Sequence, residues 1–105
     1  MSAWRRYEIL LPLRFNDGKA VPEDLLGDTL LELEQKFEAI SWETQIIRGA
    51  WQQAGRSYRD DLMRVFVDVP DTSENREFFL RFKERAKLKF QQLEVWLTSY
   101  AIDIL

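Results

Sequence analysis

From Arg5 to Phe15 apolar and polar residues alternate. Tyr7, Ile9, Leu11, Leu13 and Phe15 fall on one parity, and Arg6, Glu8, Leu10, Pro12 and Arg14 on the other. A period of two with one greasy side predicts a strand half-buried against helices. Pro12 has no amide hydrogen to give to a ladder, so it marks an edge, a bulge or the end of regular pairing. Asn16-Asp17-Gly18 reads as a turn. The pattern then changes period. Pro22-Glu23-Asp24 opens a helix, with Pro at the first helical position and two acids at the positive end of the dipole. Leu26, Leu30, Leu33 and Phe37 follow at helical spacing, which predicts a helix over 22–37.

Alternation returns at Ile40, Trp42, Thr44 and Ile46 and runs on through Gly49 and Trp51, predicting one strand over 40–52. Gly49 within it signals a bulge or a close approach of backbone. Gln53-Ala54-Gly55-Arg56 is the strongest hairpin turn in the chain, since Gly supplies a positive φ. A third strand is expected over 57–69. Met63, Val65, Val67 and Val69 face one way, and Leu62, Arg64, Phe66 and Asp68 the other. Pro70-Asp71-Thr72-Ser73-Glu74 starts a second helix, capped by Asp71 or Thr72, with a core stripe of Phe79, Phe82, Ala86, Phe90 and Leu93. The last strand spans 94–104. Its apolar parity switches between Val95-Leu97 and Ile102-Ile104, so a bulge over 98–100 is expected. The order strand, helix, strand, hairpin, strand, helix, strand predicts an α+β class: a single domain over 1–105, built as a ferredoxin-like split β-α-β sandwich. Such a sandwich has a four-stranded antiparallel sheet with two helices on one face.

Composition narrows the chemistry. The 105 residues contain no Cys and no His. Disulfides, thiolate sites, the usual general base near neutral pH and the commonest transition-metal ligand are therefore excluded. The missing Cys fits a reducing cytoplasm. No apolar run is long enough to cross a bilayer, and Met1 to Arg6 leads straight into Tyr7-Glu8 without a signal-peptide core. A cytoplasmic protein of bacterial type is expected. The net charge of −3 gives no basic footprint for nucleic acid. Charge is segregated, however. Residues 16–45 carry eight acids against Lys19 and Lys36, while residues 76–89 carry six basic residues against Glu77 and Glu84. An acidic first helix beside a basic second one reads first as mutual complementarity, and second as a basic helix for an acidic partner.

Two constellations stand out. With helices on the Ile9-Leu11-Val65-Val67 side, the other side presents Arg6, Glu8, Leu10, Arg14, Arg64, Phe66, Asp68 and Trp96. Leu10, Phe66 and Trp96 are too apolar for a plainly solvated surface. A second subunit, a ligand, or single-stranded RNA stacked on aromatics would cover it. Of these RNA fits least, because Leu62 to Val67 lacks the glycine and paired aromatics of an RNA-recognition strand. The second constellation is the hairpin 48–61, with Arg48, Trp51, Arg56, Tyr58, Arg59 and Asp60. Arg forks suit carboxylates or phosphates, and Trp and Tyr offer flat walls. The plainer account is a salt-bridge network with Trp51 as a lid on the core. Asp60 and Asp61 point to opposite faces of a strand and make a poor chelate, so no metal is expected, and no cofactor.

Gly49-x-Trp51-x-x-x-Gly55-x-x-Tyr58-Arg59-Asp60, then Val65-x-Val67-Asp68-Val69-Pro70 and Phe90-Gln91-Gln92-x-Glu94-Val95, resembles a group of small bacterial proteins with no assigned activity. The resemblance implies a ferredoxin-like fold over nearly the whole chain and transfers no site residues. The leading expectation is a non-enzymatic module that self-associates, or binds a partner, through its sheet face or hairpin. The alternative is a dimeric α/β-barrel that encloses a pocket lined by Trp51, Tyr58, Arg64, Phe66 and Trp96, as a ligand-binding protein or cofactor-independent enzyme.

Overall fold

The computed structural model describes residues 3–43 and 46–105, and the side chains of Gln53, Tyr58 and Arg59 lie outside the described set. The elements are β1 (Trp4–Pro12), α1 (Glu23–Phe37), β2 (Ser41–Trp42), β3 (Ile47–Gln53), β4 (Arg56–Pro70), α2 (Ser73–Lys89) and β5 (Leu97–Ile102). All strand pairs are antiparallel. The sheet runs β2-β4-β1-β5, and β3 pairs with the far part of β4. The class is α+β.

Alternation decides which side of the sheet is wet. Tyr7, Ile9 and Leu11 of β1 and Val65, Val67 and Val69 of β4 are buried. They share one cluster with Leu33 of α1 and Phe79, Phe82 and Ala86 of α2, so both helices cover that side. An aromatic seam ties the layers together: Tyr7 stacks on Phe79 with centroids 4.1 Å apart, and Phe37 stacks on Phe79 at 5.2 Å. Offset ring pairs of this kind add to the plain burial of apolar area. The charge segregation of the helices is partly spent between them, through an Arg85–Glu32 ion pair and a bond from Lys89 Nζ to Thr29 Oγ1.

Four expectations are corrected. The single second strand is two, so the sheet has five strands rather than four among the described residues. Pairing runs Ser41 with Phe66 and Trp42 with Val65, then resumes with Ile47 opposite Leu62, so four positions separate the paired residues in one segment and two in the other. The extra length breaks the ladder. Glu43, at its start, donates its backbone N–H to the Arg64 carbonyl. Thr44, counted above in the alternation, lies outside the described residues. The bulge expected over 98–100 is absent: pairing of β5 with β1 is unbroken from Ile9 opposite Leu97 to Trp4 opposite Ile102. Ile102 simply faces away from the helices. Leu93 is not part of the helical stripe, because α2 ends at Lys89 and Leu93 is exposed in the following loop. Asp71 does not cap α2; the Thr72 side chain accepts from the Asn75 amide instead.

Other local readings agree with the structure. Pro12 is the last residue of β1, opposite Leu62. The hairpin turns at Ala54 and Gly55, with φ of 52° and 77°. Gly49, by contrast, marks neither a bulge nor a close backbone approach: it keeps the regular register opposite Asp60, and what a Cβ there would meet, at 3.3 Å, is the Leu62 side chain. Among the described residues no helix is long and apolar enough to cross a membrane.

Candidate functional site

The side of the sheet away from the helices divides into a charged half and an apolar half. In the charged half, Arg6 and Asp68 stand directly opposite on β1 and β4 and form a two-point pair, with Nε to Oδ1 at 2.7 Å and Nη2 to Oδ2 at 2.9 Å. One step along, Arg64 reaches diagonally to Glu8 through Nε and Nη2, and donates from Nη1 to Glu43 Oε1 at 2.7 Å. The Tyr100 hydroxyl donates to Glu8 Oε1 at 2.8 Å from β5. Phe66 lies between the two arginines, whose guanidinium carbons sit 4.4 and 4.6 Å from its ring centroid. Forked charge-assisted bonds and cations over a ring face are each stronger than isolated surface pairs. Asp68 holds the Arg6 guanidinium well above the usual arginine range. Hydrogen bonds from Arg64 hold Glu8 below the usual carboxylate range, against an opposing effect of burial, and Glu8 in turn raises Arg64. This half is chemically satisfied by its own residues.

The apolar half is a groove of about 370 Å³ at the hairpin end. Leu10 and Pro12 of β1 and Leu62 of β4 make its floor, continued by Gly49 and Ala50 of β3. Trp51 and Trp96 line it as well, one from β3 and one from the approach to β5. The Trp51 indole is fixed by a 2.7 Å bond from Nε1 to Asp60 Oδ2. Trp96 is 65% exposed, a large apolar surface in water. The charged groups in the lining are Asp60 and Glu94, and among the described residues no cation joins them. Glu94 is anchored by Lys83 Nζ at 3.0 Å and by the Val95 amide, which together hold its carboxyl below the usual range.

The structure therefore brings Trp51, Asp60 and Trp96 together at one place and sets Arg64 and Phe66 in the neighbouring network. Arg48 is almost fully exposed, 4.0 Å from Asp61, and Arg56 stands at the hairpin turn. The side chains of Tyr58 and Arg59 lie outside the described residues. Arg14, expected on the same face, sits in an isolated bridge beyond β1 and pairs with Asp61 at 3.4 Å. Glu43 and Tyr100 were missed as members of the network, and Leu10, Pro12 and Leu62 as members of the groove. The readable signal was the alternation itself: Arg6 and Glu8 share a parity with Arg64 and Asp68, which puts all four on one side of the sheet, and the register then sets Arg6 directly opposite Asp68.

No protein-family model and no curated protein matches the sequence. Solved structures do match the fold. A phage SAM lyase in complex with S-methyl-5'-thioadenosine superposes with a TM-score of 0.70 at 14% identity, covering 99% of this chain and 92% of that one. A phage SAM lyase in its apo state gives 0.65 at 14% identity over 97% of this chain and 90% of that one. The B. subtilis GlnK–ATP complex gives 0.59 at 13% identity, over 97% of this chain and 84% of the other. At such identities the likeness is one of fold.

Proposed function

We propose that this domain is a ligand-binding module whose site is the apolar groove beside the hairpin. The observation that carries the reading is the joint lining of one groove by two indoles, over aliphatic residues and beside two carboxylates, with no cation in the described lining. A groove of about 370 Å³ lies in the range of small-molecule sites. Indole faces take flat rings. Asp60 Oδ1 and Glu94 Oε2, the oxygens not taken by Trp51, Lys83 and the Val95 amide, can accept from ring or exocyclic N–H groups and give a phosphate no donor. The ligand class we assign is an unphosphorylated nucleoside. The neighbours of like fold support it, since S-methyl-5'-thioadenosine and ATP both carry adenine on a ribose ring. A described lining whose charged groups are carboxylates favours the former kind of ligand, and it argues equally against a polynucleotide backbone. No reaction is assigned, in keeping with a chain that has neither His nor Cys.

Tryptophan fluorescence during titration with S-methyl-5'-thioadenosine, adenosine and ATP tests the reading. Saturable change is expected with the two nucleosides, little with ATP, and none for either in Trp96→Ala. No saturable change with any of the three up to millimolar concentration refutes it. On the same reading the domain is a ferredoxin-like split β-α-β sandwich with a broken second strand, which the strand order and the shared helix side support. A second reading, self-association, is favoured by one observation: β5 closes the sheet with an edge that has no strand partner among the described residues and no charged residue within the strand.

A further inference from the structure

β5 ends the strand order, so among the described residues one of its edges is paired, with β1, and the other is open. The Leu10 amide donates to the Trp96 carbonyl at 3.0 Å. In an antiparallel ladder the residues that exchange such bonds alternate. Trp96, Thr98, Tyr100 and Ile102 therefore turn their backbone groups toward β1, and Leu97, Ser99, Ala101 and Asp103 turn theirs outward. Along this open edge Leu97 to Ile102 carries no charge and no proline, the devices by which native sheets blunt an edge. Apolar side chains flank both ends, with Trp96 65% and Ile104 59% exposed.

We propose that β5 pairs antiparallel with β5 of a second copy, on a two-fold axis at Tyr100, so that the two sheets become one. This assignment rests on the self-association reading and names its surface and register. An antiparallel pairing of one strand with itself is isologous, as closed dimers require. With the axis at Tyr100, Ser99 faces Ala101 and Leu97 faces Asp103, all of them outward-turned residues that can exchange bonds.

Two side-chain matches select this register. Trp96 comes opposite Ile104 of the second copy on the side away from the helices, and each covers the other's exposed apolar surface. Trp96 also lines the groove, so Ile104 of the second copy would close its rim. Asp103 of one copy comes opposite Leu97 of the other. There a pocket of about 90 Å³ is lined by Arg76, Leu80, Leu97 and Ser99, above the buried Tyr7. Among the described residues neither Arg76 nor Asp103 has an ion-pair partner. The pairing supplies one to each. Moving the axis to Ser99 or Ala101 sets Ile104 opposite Glu94 or Thr98 and carries Asp103 away from Leu97, so both matches are lost together.

Sedimentation equilibrium of the full chain at micromolar concentration is the test. A dimer is expected for the wild type. Ala101→Pro removes an outward N–H that the β1 ladder does not use, and is expected to give a monomer with an unchanged circular dichroism spectrum. A charge swap covers the case in which that variant fails to fold. Asp103→Arg is expected to raise the dimer dissociation constant at least tenfold, and Arg76→Asp in the same chain to recover it. A monomeric wild type sinks both self-association and this edge. A wild-type dimer that survives Asp103→Arg unweakened, or a swap that recovers nothing, sinks the proposed register and leaves self-association through another surface.

Discussion

Glu8→Gln isolates the charged half of the outer face. Glu8 accepts from Arg64 Nε and Nη2 and from the Tyr100 hydroxyl, and the variant keeps the shape while removing the charge. The side chains of Arg64 and Glu8 are 22% and 19% exposed, so neither exposed-pair nor deep-core values apply. Bonds to charged groups contribute about 1.5–3 kcal/mol each, and exposed ion pairs about 0.2–1. A loss of roughly 1.5–2 kcal/mol at pH 7 follows for the set, because Arg64 keeps Glu43 and the Phe66 ring in the variant. The pH dependence carries a definite sign. Arg64 holds the carboxyl of folded Glu8 below its unfolded value, so in that window the unfolded chain binds more protons and stability rises with pH. The contribution is complete above the unfolded glutamate pKa of about 4.3 and fades as pH falls through the lower folded value. Urea unfolding of both proteins at pH 7 and at pH 3 measures this. The gap should narrow at the lower pH. A gap below about 0.5 kcal/mol at pH 7, or one that persists undiminished at pH 3, refutes the argument that Arg64 and Glu8 stabilise the fold as a charged pair.

Phe79→Ala should cost about 3–5 kcal/mol in urea unfolding, since Phe79 is 1% exposed and stacks on both Tyr7 and Phe37. Thr72→Ala should lower thermal stability by about 1 kcal/mol through loss of the cap on α2, and Asp71→Ala should cost less, because Asp71 does not cap. Tyr7→Phe removes a buried hydroxyl that has no partner among the described residues, so unfolding should show no loss; a drop above about 1 kcal/mol would mean that the hydroxyl is bonded. Gly49→Val sets a branched side chain against Leu62 at the groove floor, and should abolish nucleoside-induced fluorescence change while the circular dichroism spectrum stays native.

Much of this arrangement is written in alternation. The parity of Tyr7-Ile9-Leu11 and of Val65-Val67-Val69 predicts the buried side, and a hairpin at Ala54-Gly55 then fixes which residues face each other across β3 and β4. From those two facts Trp51 and Asp60 already share a side. What alternation cannot predict is where pairing stops. Nothing in Ile40 to Trp51 distinguishes one strand from two, because the break at 43–46 shifts the register by an even number and so preserves parity. The bulge expected in the last strand failed for the opposite reason: Ile102 and Ile104 were assumed to face the helices, when the pairing of Trp4 with Ile102 turns that parity outward. The groove was hidden because its members come from β1, β3, β4 and the approach to β5, and none is unusual in its own segment.

The length of β4 has a mechanical consequence. Its fifteen residues outrun β1, whose last backbone bond to it runs from the Leu13 amide to the Asp61 carbonyl, so residues 48–60 form a two-stranded ribbon beyond the body of the sheet. A ribbon of two strands bends and twists more readily than a wide sheet. Trp51 and Asp60 ride on the ribbon, whereas Leu10 and Trp96 belong to the body. The aperture between the two indoles is therefore set by the bend and twist of one hairpin relative to the body of the sheet.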